Sequence, residues 1–244
     1  MYKKICNFFL QKRCNTKGAE SLMARFSHEF RTYLTGIVGY SEFLENTENQ
    51  SMTNFTAKII RESSLNLSKI GAAYFELDKL LNNKIKFEKS PFVFSELVRD
   101  VVRQRQMQAL QREVSLGFSC SDDVMENVFN ADASRIRQVI DLLLDETVQL
   151  LDKWSILHVV LSADAKHRFW LLSLEFSDIA TKSQKMNLYD LFWSESDYKF
   201  KLQEGPGVVL AMVKQMLLSM NCDFDFEFDL NSSGARLVIA FPFA

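Results

Sequence analysis

The sequence predicts an α+β protein: a long helical hairpin forming a dimeric four-helix bundle, followed by an α/β sandwich. Three observations carry this. In the first third, apolar residues recur in alternating steps of three and four. After Asn83 the pattern changes to short period-two stretches set between helical ones. Only 8 glycines and 3 prolines occur in 244 residues, so regular structure should dominate over long flexible linkers.

The helical pattern runs from about Lys17 to Asn46, with Phe30, Leu34, Ile37, Ser41 and Leu44 stepping four, three, four, three. That is the seam of a bundle or coiled coil. Asn46 to Ser51 is polar and turn-like, and a second helix follows from about Thr53 to Leu81, with a seam of Leu67, Ile70, Tyr74, Leu77 and Leu81. Two long helices joined by a short turn make an antiparallel hairpin. One hairpin cannot cover its own seam; pairing with a second copy would bury it, and the chain's C-terminal part is the alternative cover.

Lys84 to Lys89 alternates like a strand, and Ser90-Pro91 reads as a break. Ser95 is the expected N-cap of a helix running to about Gln111, with Glu96 in its first turn. Val114–Ser119 and Asn127–Asn130 read as short strands, and Asp132 as the cap of a helix to about Leu151. Ile156–Leu161 and Phe169–Phe176 form a strand pair around a polar turn, Ala163 to Arg168. A short helix is expected over Gln184–Trp193. Gly205-Pro206-Gly207 then leads into an apolar helix, Val208–Met220. Phe224–Phe228 and Arg236–Phe241 are terminal strands joined through Asn231-Ser232-Ser233-Gly234. Mixed helices and adjacent hairpins make this half a two-layer sandwich. The divisions are therefore an N-terminal extension (1–18), the hairpin (19–83) and the sandwich (84–244).

The 29 basic and 31 acidic residues give a net charge of −2, which argues against a generic nucleic-acid binder. Cys6, Cys14, Cys120 and Cys222 form no CxxC pair and the three histidines are far apart, so neither a zinc pattern nor a disulfide framework is expected. The 21 phenylalanines read as core. No apolar run reaches membrane-spanning length, and Met1–Cys14 lacks a cleavage site, so a cytoplasmic protein is expected.

The stretch Phe26-Ser27-His28-Glu29-Phe30-Arg31-Thr32-Tyr33-Leu34-Thr35 resembles the H-box of sensor histidine kinases, F-S-H-E-L-R-T-P-L-T, departing at Phe30 and Tyr33. Tyr33 replaces a proline that kinks this helix, so a straighter helix is expected. Asp132-Ala133-Ser134-Arg135-Ile136-Arg137-Gln138-Val139 is similar to the helix leading into the family's N-box, and Phe92–Val102 to the segment opening its ATPase domain. Ser177-Asp178 stands at the G1 box, Gly205 to Lys214 resembles a worn G2 box, and Gly234–Pro242 the last strand. The resemblance covers Ala19 onward. It implies a sandwich of the histidine-kinase ATPase (Bergerat) type.

The departures fall on the nucleotide site. The family's N-box asparagine, which helps hold magnesium, matches Glu146, and the preceding one matches Leu142. Glutamate can coordinate a metal, but it adds negative charge beside a triphosphate. The D-x-G-x-G of G1 reads Asp178-Ile179-Ala180-Thr181-Lys182, keeping the aspartate that contacts adenine and losing both glycines that allow close backbone approach. The G2 box keeps Gly205 and Gly207 but carries Val209 for a third glycine, and Pro206 removes a backbone donor. Glu146, Asp178, Gly205 and Gly207 thus read as a vestigial ATP site with no cofactor of its own. The ordinary reading of Asp178 is a turn residue, and of the two glycines a turn before a helix.

His28 falls on the solvated side of the seam, where a phosphoacceptor must lie. Neutral imidazole is a good nucleophile near pH 7. The resemblance gives Glu29 the role of proton partner or tautomer-setting group, and Thr32, completing H-E-x-x-T, the role of orienting water in dephosphorylation of a partner's phospho-aspartate. The ordinary alternatives are a surface histidine and a solvated charged helix face. The expected function is a histidine phosphotransferase in a two-component phosphorelay: His28 takes phosphate from a receiver-domain aspartate and passes it to a response regulator. Mg²⁺ is expected at the partner receiver. The alternatives are a divergent cytosolic sensor histidine kinase, or a pseudokinase or phosphatase scaffold for a response regulator. All share receiver domains, of response regulators or of a hybrid kinase, as partners, and the expected assembly is a homodimer through the hairpin.

Overall fold

The computed structural model describes residues 17–46, 49–164, 166, 168–177, 207–228 and 234–242. The chain divides into two compact units at Gly71–Ala72. The sequence-based change of pattern lies later, at 83.

The first unit is the hairpin: α1, Lys17–Glu45, and the first part of α2, Gln50–Leu81. α2 starts three residues before the expected Thr53 because Asn49 caps it, its Oδ1 accepting from the Ser51 and Met52 amides at 3.0 and 3.3 Å. α1 runs unbroken through Tyr33, as the missing proline predicts. The helices meet where Gly36 faces the Ser63 hydroxyl. Within the single chain, Ile37, Ser41 and Leu44 of the seam are half-buried, while Phe30 and Leu34 are 38% and 43% exposed. Val38, Phe43, Phe55 and Leu65 are also exposed.

The second unit begins with the end of α2, where Ala73, Leu77 and Leu80 are buried. β1 (Ser90–Val93) then runs directly into α3 (Phe94–Gln111), followed by β2 (Ser115–Cys120) and β3 (Val128–Ala131). Next come α4 (Ala133–Leu150), β4 (Ile156–Asp164), β5 (Phe169–Ser177), α5 (Gly207–Ser219), β6 (Asp223–Phe228) and β7 (Ala235–Pro242). β1 and β3 pair antiparallel; the other strands form one sheet in the order β2-β4-β5-β7-β6. Its single parallel pair, β2–β4, needs a crossover, which β3 and α4 supply.

Alternation places one side of β4, β5 and β7 in the core. Leu157, Val159 and Leu161 of β4, Leu172, Leu174 and Phe176 of β5 and Leu237 and Ile239 of β7 are buried. α4 buries Ile136, Val139, Ile140, Leu143 and Leu144, and α5 buries Met212, Val213 and Met216. The phenylalanine reading holds at Phe94, which is fully buried and packs on Phe129, Phe241 and Trp170 with centroids 5.2, 5.2 and 6.2 Å away. Burial pushes the Cys222 thiol up, leaving it unreactive.

One glycine is required by close approach. A Cβ at Gly117 would lie 2.7 Å from His158 Nδ1. Without it the imidazole lies over β2 and its Nε2 meets the Ser119 hydroxyl at 2.9 Å.

Two expectations are corrected. Residues 84–89 form no strand; Ile85 and Phe87 are half-buried in a connector whose Glu88 amide donates to Asp132 Oδ2 at 2.9 Å. The alternation there reflects a chain lying along the unit, not a ladder. The strand instead includes the supposed break, with Pro91 tolerated because β1 has only β3 as a neighbour. Ser95 is not an N-cap. The cap position is Val93, which makes no side-chain bond, and the buried Ser95 hydroxyl donates to the Met125 carbonyl at 2.6 Å. The chain turns two residues early because β1 feeds straight into α3.

Candidate functional site

His28 is exposed on α1. One turn ahead on the same helix face, the Thr32 hydroxyl donates to the His28 backbone carbonyl at 3.1 Å. This back-bond is available to threonine four residues along any helix. Glu29 is half-buried and Arg31 exposed. The Phe26 and Phe30 rings, four residues apart, lie in tilted contact with centroids 5.5 Å apart, flanking the histidine along the helix. The structure thus places His28, Glu29 and Thr32 on one regular helix. A nucleophile there is presented to solvent with a carboxylate beside it and a hydroxyl one turn on.

The residues expected at the nucleotide site are described only in part. Asp178 and Gly205 lie outside the described residues, as do the helix expected over Gln184–Trp193 and the segment 1–16. Gly207 opens α5, which packs on α4. Glu146 sits on α4, only 5% exposed, and Leu142, one turn earlier, is half-buried.

α4 is held by a polar cluster that sequence reasoning missed. Arg105 of α3 grips Asp141 with two parallel bonds of 2.6 Å and reaches Asp145 at 3.0 Å. Gln108 donates to the same Asp145 oxygen at 2.6 Å, and Gln149 to the other at 3.1 Å. The bidentate bond to Asp141 raises the Arg105 pKa against the opposing effect of burial, with both carboxylates adding to it. The only local signal was Asp141 and Asp145 spaced for one helix face; their partner lies far away in sequence.

The start of α4 is fixed as the sequence predicts. Asp132 accepts from the Arg135 amide at 3.0 Å and from the Ser134 hydroxyl at 2.8 Å, besides the Glu88 amide. Burial acts to raise its pKa, but these donors and the Arg135 charge outweigh burial and hold the carboxyl below its usual range. Arg135 also pairs with Glu76, near the end of α2, and Glu76 with Lys79 at 3.6 Å.

The resemblance implies a nucleotide and its magnesium ion beside α4, and the residues there fit that group poorly. An apolar side chain and a buried carboxylate stand where two amides are needed, and Asp145 is already engaged by three donors. Among the described residues, no three His, Cys, Asp or Glu side chains group as a metal site. Among the described residues, no helix is long and apolar enough to cross a membrane.

No protein-family model matches the chain. It is similar to the aerobic respiration control sensor protein ArcB homolog of Haemophilus influenzae, 26% identical over 91% of this chain and 67% of that protein. It is also similar to the sensor histidine kinase RcsC of Escherichia coli, 24% identical over 90% of this chain, which spans only 23% of that protein. In fold it matches the histidine kinase ThkA, solved in complex with the response regulator protein TrrA, with a TM-score of 0.66 and 16% identity over 91% of this chain and 61% of that one. In sequence and in fold alike, the chain is histidine-kinase-like.

Proposed function

We propose that the chain works in two-component signalling as a histidine phosphotransferase. The carrying observation is the exposed His28 on an unbroken α1, with Glu29 beside it and Thr32 one turn on. A neutral imidazole nitrogen attacks the phosphorus of a receiver's aspartyl phosphate. The P–N bond forms, the P–O bond to the aspartate breaks, and the carboxylate leaves. The second imidazole nitrogen gives up its proton, with Glu29 as acceptor or orienting group. In the return step a carboxylate oxygen of the next receiver attacks the phosphorus, the P–N bond breaks and the imidazole regains its proton. Mg²⁺ belongs to the receiver's acidic cluster in both steps.

The poor fit of Leu142, Asp145 and Glu146 to a magnesium nucleotide supports transfer between receivers over transfer from ATP. The kinship with sensor kinases, and ThkA's complex with a response regulator, support receiver domains as partners. Phe30 and Leu34, exposed in the single chain, support a homodimer built on the hairpin. Thr32 favours a second reading, a phosphatase acting on a receiver's phospho-aspartate.

The test is phosphoryl transfer from a panel of receiver domains charged with radiolabelled phosphoryl donor. The expected result is acid-labile, alkali-stable label on the chain, lost in His28→Gln. Receiver dephosphorylation without any label on His28 would favour the phosphatase reading and overturn the phosphotransferase.

A further inference from the structure

Among the described residues, α2, α3 and α5 end in the same hydrogen-bond pattern, each closed by a residue with left-handed backbone. α2 and α5 use Asn83 and Asn221, at φ 52° and 57°, and asparagine tolerates that conformation. α3 uses Glu113, at φ 60°. Its amide donates to the Leu110 carbonyl and the Val114 amide to the Ala109 carbonyl, both at 2.9 Å. The Glu113 carbonyl then accepts from the Trp154 amide at 2.7 Å, and its carboxylate pairs with Lys153 at 3.0 Å. Trp154, in the turn before β4, is left-handed too, with φ 72°. Two residues poorly suited to this backbone are thus bonded to each other at one corner of the sandwich.

A tryptophan at that place is unfavourable twice over. A bulky side chain is strained in the left-handed region, where glycine is not. Its ring is also 78% exposed, so burial does not offset the strain. Strain that packing does not explain points to a function. Met107, Leu110 and Ile156, near it in the same corner, are 65%, 66% and 48% exposed. Exposed apolar side chains gathered in one place mark a contact surface, and tryptophan and arginine are the residues that most often dominate one.

The corner also has a definite shape and charge. Arg103, Met107 and Leu110 follow one another at four and three residues, a single stripe of α3 about 10 Å long. That spacing is what another helix packs against. From Val101 to Arg112 the chain has arginines at 103, 105 and 112 and no carboxylate. Arg105 is engaged by Asp141 and Asp145. Among the described residues, no carboxylate pairs with Arg103 or Arg112. We propose that this corner docks an acidic amphipathic helix of a partner protein, with Trp154 as the apolar anchor and Arg103 and Arg112 meeting the partner's carboxylates. A helix can place its carboxylates over the two arginines and away from Glu113 and Asp152. An anionic lipid surface is negative throughout and cannot. The proposal does not depend on what His28 accepts or from whom.

The test is nuclear magnetic resonance on the full chain, titrated with a synthetic helical peptide of leucines at three-and-four spacing with glutamates between. A peptide with the same leucines and lysines for glutamates is the control. The glutamate peptide should shift the Trp154 indole and the amides of 103–115 and 152–156, and the lysine peptide should bind at least about tenfold more weakly. Trp154→Gly should weaken binding at least about tenfold while the melting temperature holds or rises by about 2 °C, since glycine relieves the turn. Arg103→Glu with Arg112→Glu should reverse the preference between the peptides. No binding, equal binding of both peptides, or undiminished binding by Trp154→Gly would overturn the proposal. So would a Trp154 indole protected from solvent in the free chain, or shifted on dilution, since the chain itself or a second copy would then cover the ring. Trp154-dependent binding to phosphatidylcholine vesicles with roughly a third phosphatidylserine would overturn it in favour of a membrane contact.

Discussion

The Thr32 hydroxyl donates to the backbone carbonyl of His28 at 3.1 Å. The hydroxyl expected to orient water is thereby held against the helix backbone. The two residues share one helix face and one backbone bond.

Thr32→Ala should therefore divide the activities. Alanine is the better helix former by several tenths of a kcal/mol, so the melting temperature holds or rises slightly. Label acceptance by His28 should persist, while receiver dephosphorylation falls at least about tenfold if a positioned hydroxyl matters. Thr32→Ser should restore it. The lifetime of a phosphorylated receiver, with and without the variant, reads this out.

Leu34→Asp probes the exposed seam of α1. Leu34 is 43% exposed in the single chain, so a charge there costs the isolated hairpin little. In a dimeric bundle it would be buried without a partner, at several kcal/mol. Light scattering behind size exclusion should show a dimer for the wild type and a monomer for the variant. An unchanged dimer would place the interface elsewhere.

Asp132 carries a pH dependence of definite sign. Its folded pKa lies below the usual range, and the unfolded value is about 3.9. Between the two, the unfolded chain binds more protons, so stability rises with pH. The contribution is complete above about pH 5 and is lost as pH falls through the folded value. Asp132→Ala should cost about 1 kcal/mol at pH 7, as a lost helix cap does, and the gap to wild type should narrow below pH 4. Urea melts at both pH values measure it.

Arg105→Ala should destabilise the sandwich by about 2 kcal/mol, because Asp141 keeps its charge and loses both Arg105 bonds while Asp145 loses one of its three donors. Arg105→Lys should recover little, since a point charge cannot reproduce two parallel bonds to Asp141. Denaturation midpoints of the two variants decide this. Full recovery by lysine would reduce the cluster to simple charge pairing.

What was legible in the sequence was local chemistry or periodicity. Asp132 could be read as a cap because its partners, Ser134 and Arg135, follow within three residues. The strands β4, β5 and β7 were legible because one side of each is in the core and the alternation says so. The exposed His28 followed from its place off the seam. What failed depended on distant partners. Ser95 has the composition of a cap, but its hydroxyl goes to Met125. Residues 84–89 alternate like a strand, but Asp132 takes the Glu88 amide that a ladder would use. The Arg105 cluster joins two helices whose residues are 36 and 40 positions apart, and no short-range pattern marks it.

The central claim is phosphoryl traffic through His28 without ATP. The most direct measurement is calorimetric titration of Mg-ATP into the purified chain, run beside labelling with radioactive ATP. The account predicts no binding heat and no label on His28, with label arriving only from a phosphorylated receiver. A saturable isotherm together with label on His28 would contradict it and make the chain an ATP-dependent kinase despite Leu142 and Glu146.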